Sequence, residues 1–186
     1  MDTFFFDLKL DQAAAFVGVL GLLVGLALLA APAACRAYVP SIGRHNPTAW
    51  VLTAIDLLWV AWIVNNASLG RFDALKPGLY LLTPAAFFLI IHYMDDLLAV
   101  RALGGLLLLM ANPVLNAARW LDTEWRFVMT VVAYGWAVAG ITLVLSPYLW
   151  RRWTTPMLAT NARCRTAALA KLAAALALLY LAFRVY

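Results

Sequence analysis

From Leu79 to Ala118 the chain is apolar almost without a break: "LYLLTPAAFFLIIHYMDDLLAVRALGGLLLLMANPVLNAA". At 1.5 Å per residue a single helix over this stretch would run about 60 Å, twice the ~30 Å hydrocarbon core of a bilayer. Half of it would then push Leu106–Met110 into water. Two spans joined by a tight turn fit better, with the turn either at Asp95-Asp96 or over Arg101–Gly105. The rest of the chain follows the same pattern. Hydrophobic residues make up 66% of the 186 and charged residues 12%, against about 45–50% and about 25% in a soluble domain. No soluble fold of this size hides that much apolar surface, so the solvent is lipid. With no water to satisfy the backbone, the spans must be helical.

These constraints predict an all-α, polytopic transmembrane bundle of about six spans, five being the other count compatible with the pattern. The expected spans are 13–34, 50–67, 79–94, 97–115, 127–150 and 166–183. Residues 1–12 are expected to form an extramembrane segment and 13–186 a single transmembrane domain. The first apolar run, Ala13–Ala34, ends in small residues before Cys35 like a secretory signal. It is too long for a signal core, and "MDTFFFDLKLDQ" carries three aspartates and one lysine where a signal is positive. A retained helix is expected. The connectors are short and rich in Pro, Gly and arginine. Trp50, Trp120, Trp125, Trp150 and Trp153 fall at or near span ends, where an amphipathic ring is favoured.

The net charge of +5 is spread through these connectors. It suits anionic lipid headgroups and lacks the concentrated basic face that nucleic-acid binding needs. A six-span arrangement places Arg36, Arg44, Arg101, Arg151, Arg152, Arg163, Arg165 and Lys171 towards one side. Lys9, Arg71, Lys76, Arg119, Arg126 and Arg184, diluted by most of the acids, fall on the other. The positive-inside rule puts the acid-free Arg151–Arg165 loop in the cytoplasm of a bacterial-type inner or plasma membrane, with both termini outside.

The chemistry-bearing residues are few. His92 stands three and four residues before Asp95 and Asp96, so all three share a helical face. If the chain reverses at Asp95-Asp96, Arg101 lies in the next helix and reaches back to a carboxylate. A polar hairpin tip tied by that ion pair is the structural reading. A functional reading gathers Asp56, His92, Asp95 and Asp96 into a proton, ion or metal site. A haem reading would need a second intramembrane imidazole, and the other histidine, His45, is in a loop. Asp56 lies inside a span, where a charged Asp near the bilayer centre costs about 2.5–3.5 kcal/mol and so requires a partner, a water path or a proton. Gly18, Gly21 and Gly25 form a small-residue stripe with GxxxG spacing, suited either to packing within the bundle or to docking on another subunit.

No phosphate-cradling glycine loop, Ser-His-Asp set, HExxH or CxxC is present in the sequence, so no cofactor is assigned and no catalytic residue is expected. The leading expectation is a non-enzymatic subunit or scaffold embedded in a larger membrane complex, with the lipid bilayer and other membrane subunits as partners. A small ion- or proton-coupled transporter or channel is the alternative. A metal- or haem-binding membrane enzyme ranks third.

Overall fold

A computed structural model describes residues 9–44, 46–94, 97–119 and 123–186, and every regular element among them is helical. In chain order these are α1 (Leu10–Ala30), α2 (Pro32–Tyr38), a 3-10 segment (Val39–Arg44) and α3 (Asn46–Asn66). A second 3-10 segment (Gly70–Gly78) leads into α4 (Leu79–Tyr93), then α5 (Leu98–Arg119) and α6 (Arg126–Leu145). The short α7 (Leu149–Met157) and the long α8 (Asn161–Arg184) complete the order. Among the described residues six helical stretches are long and apolar enough to cross a membrane. These residues form a bundle of six apolar helices.

Local chemistry sets the helix ends, and moves several of them from their expected places. The first span stops at Ala30, four residues early, because Ala31 precedes Pro32 and takes a non-helical backbone (φ −131°, ψ 60°). Pro32 then opens α2 at its first position, where its missing N–H costs nothing. In α6 the helix ends at Leu145 rather than at Trp150, since Ser146 turns out of the helix before Pro147. The last helix begins at Asn161, five residues ahead of the expected Thr166. Thr160 is its extended N-cap, and the Thr160 hydroxyl accepts a hydrogen bond from the Arg163 N–H at 3.2 Å. Pro84 and Pro113 sit inside α4 and α5 without ending them.

Small residues decide which helices meet. In lipid there is little hydrophobic gain from burying one apolar side chain against another, so close backbone approach carries the packing. α1 pairs with α8 and α5 with α6, while α3 lies on α5 and α4 lies on α3. The main core joins Leu10, Ala13, Ala14 and Val17 of α1 to Val114, Ala117 and Ala118 of α5, with Met129 and Ala133 of α6 and Ala182 of α8. Outward faces are apolar as well: Leu81 is 78% exposed and Val131 70%. That surface is untenable in water and ordinary against acyl chains.

The connectors 31–44 and 146–160 meet at one end of the bundle. There the Arg36 guanidinium donates to the Asn161 Oδ1 at 2.8 Å and to the Ala159 carbonyl at 2.7 Å. The Trp150 indole N–H donates to the Val39 carbonyl at 2.8 Å. At the opposite end the Tyr186 hydroxyl donates to the Trp125 carbonyl at 2.6 Å. The first end holds Arg36, Arg44, Arg151, Arg152, Arg163 and Arg165, and among the described residues no carboxylate accompanies them. Asp11, Asp73 and Glu124 all lie towards the other end, where Asp73 pairs with Lys76 at 2.8 Å.

Candidate functional site

Asp56 sits near the middle of α3, and Thr53, three residues earlier, shares its face. That face turns onto α5, where Gly105 leaves a notch. A Cβ at Gly105 would stand 2.9 Å from the Asp56 Oδ2, so a side chain there would collide with the carboxylate. Thr53 is only 4% exposed. The Thr53 Oγ1 and the Asp56 Oδ1 are both buried, and neither has a hydrogen-bond partner in the protein. An unpaired buried polar group costs about 1–3 kcal/mol, and more when charged. Two such oxygens on one face therefore favour a proton, a water or a cation between α3 and α5. The glycine makes the approach possible and the acid makes it expensive.

His92 does not join them. It lies exposed in the last turn of α4, with its ring edge-on to that of Tyr93 at 5.1 Å. Its neighbours Ile90 and Ile91 pack against the cluster that Ala49 of α3 forms with Leu98 and Ala99 of α5. Along α3, Asp56 is seven residues beyond Ala49, a rise of about 10 Å at 1.5 Å per residue. Among the described residues no group of three or more His, Cys, Asp or Glu side chains is placed to hold a metal. Asp95 and Asp96 lie outside the described residues, as do His45, Trp120 and Met1–Leu8.

The reversal between the third and fourth spans falls between Tyr93 and Leu98, and Leu97 takes the left-handed conformation there (φ 58°). The alternative turn over Arg101–Gly105 is excluded, because those residues are inside α5. Arg101 thus lies in the first turns of the next helix, half-buried, and no ion pair to it forms among the described residues. Its expected partner is Asp95 or Asp96, and that pairing lies outside the described residues.

The glycine stripe of α1 faces α8. A Cβ at Gly18 would meet the Leu179 Cγ at 2.7 Å, one at Gly21 the Ala175 Cβ at 3.1 Å, and one at Gly25 the Leu172 Cδ2 at 2.8 Å. Of its two readings, packing within the bundle is the one this geometry fits. A parallel device went unnoticed in the sequence. Gly104-Gly105, which looks like a helix breaker, gives α5 two adjacent notches, one against Gly140 of α6 and one against Asp56 of α3. An apolar crevice of about 400 Å³ also opens between α1, α3 and α5, lined by Phe16, Trp59, Met110, Pro113 and Val114, with Gln12 as its polar member.

Comparison of the chain with known protein families, with curated proteins and with solved structures finds no match.

Proposed function

We propose that this integral membrane protein is a non-enzymatic subunit or scaffold embedded in a larger membrane complex. The observation that supports it is the state of α4. No residue of α4 is buried, and its principal neighbour among the membrane-crossing helices is α3. A helix held on one side only is a natural seat for a transmembrane helix of another subunit. In this reading the arginine-rich end faces the cytoplasm of a bacterial-type inner or plasma membrane, with both termini outside. Photo-cross-linkers at Leu81 and Phe88, which are 78% and 71% exposed, should capture a second polypeptide in native membranes. Capture of lipid alone, with a monomeric mass in mild detergent, would count against the subunit role. A C-terminal reporter active only in the cytoplasm should stay silent.

A second reading rests on a separate observation, the two unpartnered oxygens of Thr53 and Asp56. A small ion- or proton-coupled carrier would use Asp56 as its binding carboxylate. Purified protein in liposomes should then move protons or a cation, and Asp56→Asn should abolish the flux. A colourless, metal-free preparation would leave the metal- or haem-binding alternative without support.

A further inference from the structure

A second cavity, of about 790 Å³, opens at the arginine-rich end of the bundle. Its walls come from the 3-10 segment, which supplies Arg44, from Leu97 before α5, from Tyr148 at the N-cap of α7, and from Arg151, Arg152 and Thr155 of α7 itself. Tyr148 has a helical backbone, so the N-cap and the three α7 residues, spaced 148, 151, 152 and 155, fall on one helical face. The sequence of α7 therefore dedicates a side to this cavity.

The walls are fixed. Trp150 ties α7 to the 3-10 segment through the Val39 carbonyl. The Ser41 hydroxyl bonds back to the Ala37 and Tyr38 carbonyls, both at 2.9 Å. Gly43 lies so close to α5 that a Cβ there would meet the Leu97 Cδ2 at 2.7 Å. Away from the cavity, α7 exposes Trp153 and Met157 (43% and 61%). A short helix with arginines on one face and an exposed Trp and Met on another is built to lie in a membrane interface.

Three guanidinium groups thus border one gap, and among the described residues none of the three makes a hydrogen bond or ion pair with another protein group. Guanidinium forks match phosphate oxygens two at a time, and hydroxyls such as those of Tyr148 and Thr155 add single bonds. We propose that this cavity is a binding site for the phosphate-bearing headgroup of an anionic lipid, held by Arg44, Arg151 and Arg152 while its acyl chains lie along the apolar flank of the bundle. The lipid is preferred over a soluble phosphate because Trp153 and Met157 place the site at the depth where headgroups lie. The proposal requires the membrane setting and is independent of the subunit role.

The test is native mass spectrometry of the full-length protein released from vesicles of phosphatidylcholine with a minor share of phosphatidylglycerol or cardiolipin. The wild type should retain the anionic lipid selectively. Arginines near an anionic surface attract it additively, so Arg44→Gln/Arg151→Gln/Arg152→Gln should cut retention by at least about tenfold. Arg71→Gln/Arg184→Gln, at the opposite end, should leave it unchanged. Should the triple variant misfold, the single variants Arg151→Gln and Arg152→Gln give the same readout in smaller steps. Asp95 and Asp96 precede Leu97 in the chain, so Asp95→Asn/Asp96→Asn is included and should hold or raise retention. Equal retention of both lipid classes, no loss in the arginine variants, or a loss in the aspartate variant would each overturn the proposal. Displacement of the lipid by millimolar inorganic phosphate would overturn the lipid assignment in favour of a soluble phosphate.

Discussion

Gly104 of α5 and Gly140 of α6 face each other so closely that a methyl group on either would strike the other's backbone. A Cβ at Gly104 would lie 2.8 Å from the Gly140 carbonyl oxygen, and a Cβ at Gly140 would lie 2.7 Å from that of Gly104. Backbone cannot swing aside as a side chain can, so Gly140→Ala must separate the two helices. The expected loss is about 1–3 kcal/mol. Gly135, one and a half turns earlier in α6, has nothing within 4 Å of an added Cβ, and Gly135→Ala should change stability by no more than about 0.5 kcal/mol. Thermal unfolding of both variants in detergent checks the contrast. Equal losses would remove the glycine contact as the cause.

The α1–α8 contact is softer, because Gly18 meets the branched end of a side chain, the Leu179 Cγ at 2.7 Å. Gly18→Ala should destabilise the fold. Adding Leu179→Ala should make room, so that the double variant loses less than the sum of the singles by about 0.5–3 kcal/mol. Additive losses would mean that the two residues do not share a contact. Gly21→Leu should lower the melting temperature while leaving the native mass distribution unchanged; a shift in mass would move the stripe to an intersubunit face.

Most of the fold was legible because lipid leaves a chain few options. Runs of apolar residue at bilayer length have to be helices, and the tryptophans and breakers mark their ends. What hydropathy does not contain is the pairing. When both faces of a helix are apolar, polarity no longer separates inside from outside, and only small residues mark the contact side. The Gly18–Gly25 stripe was readable on that ground. Gly104-Gly105 was not, since adjacent glycines also signal a turn. Asp56 was readable as a costly residue, but its neighbour Gly105 depends on α3 lying against α5. Whether it groups with His92 depends on how α3 and α4 are set in register, which no local pattern encodes.

The contact between Asp56 and Gly105 gives a third expectation. Gly105→Ala should lower stability, because the new Cβ would meet the Asp56 Oδ2 at 2.9 Å. Asp56→Ala in the same background should restore much of it. Thr53→Val should be neutral or stabilising, since it replaces an unpartnered buried hydroxyl by a methyl group of similar shape. A clear loss on Thr53→Val would show that the hydroxyl is satisfied by something bound.

Tyr186 supplies a pH dependence outside the spans. Burial raises its phenol above the ordinary value of 10.0, and the protonated hydroxyl donates to the Trp125 carbonyl. The folded state therefore holds this proton more tightly than the unfolded chain does. Its contribution is fully present below pH 10.0 and is lost as pH rises through the raised value. Tyr186→Phe should cost about 1 kcal/mol at neutral pH. The gap between variant and wild type should close in strong base. A constant gap across that range would rule out titration of this group.

The pairing of α1 with α8 has a consequence for how the protein is made. The Cys164 thiol donates to the Leu28 carbonyl at 3.6 Å, across 136 residues of sequence. At about 5–20 residues per second, a ribosome needs roughly seven to twenty-seven seconds to cover that distance. During this interval α1 has left the translocation machinery with Gly18, Gly21 and Gly25 uncovered, while α8 does not yet exist. Helix α1 thus waits for α8, and its open notch is the place where an insertion chaperone or a wrong helix would settle first.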